Sequence, residues 1–172
     1  KRKFEMMKED SITLKFSLLS PVGFKLGYYV LCDFGRFEIV EDQYPAFNVS
    51  TGGYDYELKM EAYYMKWKNK IFKYSPENGG NEASWSLTAQ LSVHLDILLR
   101  NLKAWGYQYE GLGGIEDFKY EIDPDINIEA LYITYSNTNL IDGLTSMAEA
   151  AGCEWWMEGT KARITLYLNS LA

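Results

Sequence analysis

A single histidine, His94, is all the imidazole in this chain of 172 residues. That scarcity removes several common chemistries at once. Ser-His-Asp and Cys-His schemes need an oriented base, so each of them would hang on this one residue. A histidine-based zinc site would have one imidazole to offer. His94 falls beside the apolar stripe of a leucine-patterned segment, the usual place of a packing or surface residue. Cysteine is almost as sparse. Cys32 and Cys153 stand far apart with no CxxC, so no disulfide framework is indicated. Both are expected to behave as small buried residues in a protein made in a reducing compartment. Basic residues are in the minority, leaving a net charge of −7. An acidic chain repels phosphate backbones and anionic bilayers, which argues against nucleic-acid and membrane partners. No apolar run approaches the roughly 20 residues that span a bilayer. Lys1-Arg2-Lys3-Phe4 is basic but is followed by no apolar signal core. Without an initiating Met, the chain reads as a fragment of something longer.

What the sequence has in quantity is apolar and aromatic side chains, at 47% and 16% of its residues. That is enough for a real core, and an aromatic load of this kind favours strands and interfaces. Up to about Tyr74 the rhythm is that of strands. Ile12, Leu14, Phe16 and Leu18 alternate with Thr13, Lys15 and Ser17. Tyr28 to Cys32 and Arg36 to Glu41 form a hairpin pattern around Asp33-Phe34-Gly35. The strongest period follows. Tyr54, Tyr56, Leu58, Met60 and Ala62 hold one parity against Asp55, Glu57, Lys59 and Glu61, and Tyr63, Tyr64, Met65 and Trp67 carry the strand onward.

Ser75-Pro76-Glu77-Asn78-Gly79-Gly80-Asn81 is the natural boundary, dividing residues 1–76 from 77–172. Beyond it the period becomes helical. Leu91, Leu95, Leu98, Leu99 and Leu102 form one stripe, with Ser92 as the expected cap and Gly106 as the stop. Leu140, Ile141, Leu144, Met147, Ala148 and Ala151 form another. It is opened by a capping box, Asn139 with Asp142, and closed by Gly152. Ala83 to Thr88 and Ala130 to Tyr135 supply a strand before each helix. Glycine and an aromatic strand follow each, giving a degenerate β-α-β-β repeat with two helices on one sheet face. The fold class is α+β.

Motifs that carry chemistry fare poorly. Asp123-Pro124-Asp125-Ile126-Asn127 begins like a calcium loop but has Ile128 where Gly belongs and Thr134 where Glu belongs; it reads as a turn. Gly111-Leu112-Gly113-Gly114 lacks the Lys of a phosphate loop and reads as a hairpin tip. Asp55, Glu57 and Glu61, like Glu154 and Glu158, alternate with apolar residues as a solvated face does, although glycosidase chemistry also uses paired acids. Asn48-Val49-Ser50 matches the glycosylation pattern by chance, and Lys66-Trp67-Lys68-Asn69-Lys70 reads as a solvated basic face. Tyr63-Tyr64-Met65-Lys66-Trp67 and Trp155-Trp156 suit a core on one parity with an interface on the other, or else a sugar-stacking platform. No catalytic residue, cofactor or metal is expected.

Two passages are distinctive: Thr51 through Lys73, and Asn137-Thr138-Asn139-Leu140-Ile141-Asp142-Gly143-Leu144 running on to Cys153-Glu154-Trp155-Trp156. Together they resemble a family of prophage tail proteins of gut Bacteroidetes. More distantly, the layout is similar to baseplate hub proteins of contractile tails and to the hub part of type VI secretion spikes. The resemblance implies an antiparallel β-barrel-like ring domain over 1–76 and a small α/β domain, with two helices packed on a sheet, over 77–172. It implies a structural, non-enzymatic role in the virion tail, with assembly in the bacterial cytoplasm. Its partners would be copies of itself in a homotrimer, together with tube and spike proteins. Tyr63, Tyr64 and Trp67 are the expected interface. The competing expectations are a carbohydrate-binding or adhesin module built on exposed aromatics and, weakest, a lysozyme-like hydrolase built on the acidic pairs.

Overall fold

In the computed structural model, residues 1–78, 82–105, 119–159 and 164–171 are described. The fold is mixed α+β with mostly antiparallel sheets. The front half folds into six strands: β1 (Arg2–Glu5), β2 (Glu9–Leu18), β3 (Tyr29–Cys32), β4 (Gly35–Ile39), β5 (Ala46–Asn48) and β6 (Gly53–Ala62). Their order is β1-β2-β6-β4-β3, with β5 also on β6. β6 is the central strand. It pairs with β2 from Leu18↔Tyr54 to Ser11↔Glu61; its other edge is shared between β4 at one end and β5 at the other. Alternation along β6 is as expected: Tyr56, Leu58, Met60 and Ala62 are buried, while Glu57 and Lys59 are exposed. The hairpin at Asp33-Phe34 closes with Cys32 opposite Gly35.

The expected barrel is not found. Among the described residues this sheet stays open, because its two ends, β1 and β3, are four-residue strands that do not pair with each other. Its apolar face is covered instead by the rest of the chain. A 3-10 helix, Tyr63–Asn69, follows β6 immediately, and its Tyr64 meets Trp155 edge to face at 6.4 Å. One apolar cluster therefore runs from Ile12, Phe37 and Leu58 through Trp67 and Phe72 to Leu98, Leu144, Trp155 and Leu168.

The rear half contains β7 (Ser84–Ala89), α1 (Leu91–Ala104), β8 (Lys119–Ile122), β9 (Leu131–Ser136), α2 (Leu140–Ala151), β10 (Cys153–Gly159) and β11 (Ile164–Ser170). The expected strand before each helix is present, but the strands divide between two sheets rather than sharing one. β7 and β9 pair antiparallel. β10 and β11 form an antiparallel pair to which β8 adds in parallel. The aromatic strand expected at Gly106–Gly111, the stop at Gly106 and the Gly111–Gly114 tip lie outside the described residues.

α2 begins and ends as its sequence indicates. The Asn139 side chain accepts from the Asp142 N–H at 2.8 Å, and Gly152 takes the left-handed conformation at φ 65°. α1 does not. Its N-cap is Gln90, which makes no side-chain capping bond. The open Ser92 N–H donates instead to the Asn127 side chain at 3.0 Å, borrowed from the connection before β9. An orphan helix N–H needs an acceptor, and one distant in sequence serves as well as a local one.

Candidate functional site

Tyr63, Tyr64 and Trp67 do not form an exposed strand face. β6 stops at Ala62, and the 3-10 helix turns these three side chains inward, leaving them 2%, 5% and 1% exposed. Residues this deep inside one chain cannot touch a partner, so the expected interface at these positions is corrected. The lysines between and after them point elsewhere. Lys66 pairs with Glu38 at 3.1 Å and Lys68 with Glu61 at 3.0 Å, while Lys70 lies 4.7 Å from the Trp105 ring centre. The basic run is thus a set of local contacts rather than a patch. Trp155 and Trp156 divide as neighbours on a strand must. Trp155 is buried, while Trp156 faces outward, stacked on Tyr167 at 5.5 Å with 15° between planes.

Three buried polar side chains, Asp10, Asn101 and His94, tie separate segments of the chain together. Asp10, nearly inaccessible, takes two hydrogen bonds from the Arg2 guanidinium at 2.8 Å each and one from the Tyr64 hydroxyl at 3.1 Å. Burial first, and then the charge of Asp10, pushes the Tyr64 phenol far above its ordinary range. Asn101, inside α1, accepts from the Lys73 N–H at 3.0 Å. It also donates to the carbonyls of Lys73 at 2.7 Å and Ile97 at 2.9 Å. His94 is fully buried, with Nε2 3.1 Å from the Leu131 carbonyl and Nδ1 2.9 Å from the Tyr135 hydroxyl. A neutral ring that donates from Nε2 and accepts at Nδ1 satisfies both contacts. Burial lowers its proton affinity accordingly. The lone histidine is a core residue.

The motif candidates resolve in the same way. Asp123 accepts from the Asp125 N–H at 3.1 Å and from the Ser170 hydroxyl at 3.1 Å, capping a short 3-10 turn. Asn48 accepts from the Ser50 N–H and donates to Asp55, building the turn before β6. Cys153 is buried, and burial raises its thiol to about 11; Cys32 is half-buried. Among the described residues, no three His, Cys, Asp or Glu side chains gather as a metal cluster would require, and no helix is long and apolar enough to cross a membrane.

Two surface features remain. The first is an uneven distribution of exposed apolar side chains. Of the 17 large ones recorded among the described residues, ten lie between Leu19 and Val49, including Tyr44 at 87% exposure. Where such side chains adjoin in one contiguous patch, they mark sites of association. The second is a groove of about 640 Å³ between the front and rear sheets, with Arg2, Phe4, Met6 and Phe34 on one wall and Glu154, Trp156 and Glu158 on the other. Neither was visible to sequence reasoning as a site, because each is assembled from segments distant along the chain or from loops without a period.

This fold is shared with prophage tail proteins. Prophage tail protein gp18 from Listeria monocytogenes superimposes with a TM-score of 0.61 over 98% of this chain at 11% identity. The 43 kDa tail protein of prophage MuSo2 from Shewanella oneidensis gives 0.53 over 94% at 12%. The chain spans 43% and 46% of those proteins, less than half of either. No family model and no curated protein matches it. At these identities the likeness is one of fold.

Proposed function

We propose that the chain is a structural subunit of a phage tail, contributed by a prophage and belonging to the baseplate hub. It acts by assembling with copies of itself and with neighbouring tube and spike proteins, and catalyses nothing. It is made in the bacterial cytoplasm and ends in the virion tail. The observation that carries this reading is the likeness over nearly the whole chain to a prophage tail protein. The crowding of exposed apolar side chains into residues 19–49 supports it, since such a surface gains by being covered. The engagement of His94 in core hydrogen bonds also supports a scaffold rather than a reaction centre.

The carbohydrate-binding reading finds less support. Tyr63, Tyr64, Trp67 and Trp155 are all buried, and Trp156 has one face against Tyr167. The coplanar aromatic pair that a sugar platform would need is absent among these residues.

Light scattering on the protein carrying its complete reading frame tests the proposal. A trimer is expected, as is labelling of the tail tip when intact particles are stained with an antibody to this chain. A stable monomer that never appears on purified tails would overturn it.

A further inference from the structure

We propose that the groove between β1 and β10 binds an extended peptide segment whose basic side chains stand two residues apart. β10 sorts its side chains by parity. Cys153, Trp155 and Met157 are buried in the core, while Glu154, Trp156 and Glu158 line the groove. Alternate residues of a strand lie about 7 Å apart on one face, so two carboxylates flank one indole at the spacing of alternate residues in another strand. The Trp156 Nε1–H donates to Glu158 at 3.2 Å, and Tyr167 stacks on the same indole. Carboxylate and ring are thereby held together before anything binds.

The opposite wall adds apolar surface without adding net positive charge. The one cation there, Arg2, is neutralised by Asp10 through two hydrogen bonds, and its guanidinium lies over the rings of Phe4 and Phe34 at 4.9 and 4.7 Å. Among the described residues the lining is therefore aromatic with a net charge of −1, or −2 once Asp10 behind Arg2 is counted. Carboxylates attract a guanidinium or ammonium directly, and an indole face attracts it through its quadrupole. A neutral glycan would leave both carboxylates uncompensated, and an acidic one would be repelled. Among the described residues β10 is also an edge strand of its sheet, which suits an extended partner running alongside it.

The test uses the 172-residue chain and an acetylated, amidated hexapeptide of alternating arginine and leucine. It is read from the Trp156 indole N–H resonance, assigned with Trp156→Phe. A saturable shift is expected. It should weaken about tenfold or more in the Glu154→Gln/Glu158→Gln double variant and weaken again in about 0.5 M salt. The same peptide with glutamate for arginine should not bind, nor should a hexamer of N-acetylglucosamine. Three outcomes overturn the proposal: no saturation by about 1 mM arginine peptide, equal binding by the double variant, or a shift produced by the sugar at equal or lower concentration. The Gln variants keep side-chain shape at the surface, so loss of binding with an unchanged circular dichroism spectrum is interpretable. The trimer measured by light scattering is a separate readout, so failure here and failure of the tail assignment are distinguishable.

Discussion

The two halves of this molecule treat their surfaces differently. Among the described residues, the helical half from Lys70 onward exposes five large apolar side chains, and two of its buried polar groups link segments: Asn101 bonds the Lys73 backbone, and His94 joins the Leu131 carbonyl to the Tyr135 hydroxyl. The front sheet is well packed along β6, yet the stretch between Leu19 and Val49 leaves in solvent ten of the 17 large apolar residues that are exposed among the described residues. Free energy of folding favours the first arrangement and is indifferent or opposed to the second. The difference teaches that burial, and with it stability, is concentrated in the centre and rear, whereas residues 19–49 contribute less to the core than their composition allows.

The largest expected effect is at Asn101. Truncation to alanine removes three hydrogen bonds and leaves the half-buried N–H and carbonyl of Lys73 without their side-chain partner. Each stranded group costs about 1–3 kcal/mol, so Asn101→Ala is expected to lose about 3 kcal/mol in urea unfolding. A loss below about 1 kcal/mol would mean that water replaces the amide readily, and the centre is less dry than its burial indicates.

Gly143→Ala comes next and opposes two principles. In a helix interior alanine is favoured over glycine by about 1 kcal/mol. Here, however, a Cβ would lie 2.7 Å from the Phe72 ring, which is itself fully buried against Trp85 and Tyr135 at 5.1 and 4.8 Å. Overpacking of that kind costs about 1–3 kcal/mol. A net loss of about 0–2 kcal/mol in unfolding free energy is expected, and a gain would show that the α2–Phe72 contact is loose.

These two residues also mark what was legible in the sequence. β6 and α2 could be read directly because their signals are local: strict alternation in one, a capping box and a left-handed glycine in the other. The turn at Tyr63 is masked in the sequence, where aromatic residues continue the parity of β6. The available clue was the spacing of three and four between Tyr63, Tyr64 and Trp67, which fits a helical turn as well as a strand. The N-terminus of α1 was misread at Ser92 because its cap, Asn127, comes from 35 positions away. The open sheet was misread as a barrel for the same reason: what covers its face is Tyr64, Trp67 and Trp155, and no period in residues 1–62 reports them. The groove at Phe4 and Trp156 likewise joins opposite ends of the chain.

A smaller effect separates the two helices. Asn139→Ala removes a side-chain cap and should cost about 1 kcal/mol. Asn127→Ala strips α1 of a borrowed acceptor and should cost no more than that, since Ser92 lies near solvent that can replace it. Differential scanning calorimetry on both variants compares a local cap with a distant one. A larger loss at Asn127 would reveal that it also fixes the connection leading into β9.

The smallest effect on stability carries the most weight for function. Leu19, Tyr44 and Val49 are 86%, 87% and 86% exposed, so changing all three to serine removes little buried contact and should alter unfolding free energy by about 0.5 kcal/mol or less. If the front surface exists to be covered, the same triple variant should fail to form the trimer in the complete protein while remaining folded, and its monomer should be more soluble than the parent. The rear variants should do the opposite, losing stability while the assembled fraction keeps its stoichiometry. A triple variant that unfolds would assign these residues to the fold, and one that assembles normally would remove residues 19–49 from the contact surface. Either result would erase the division of labour between the halves, because a surface kept for a partner and one merely left over are equally exposed and differ in what their loss does to assembly.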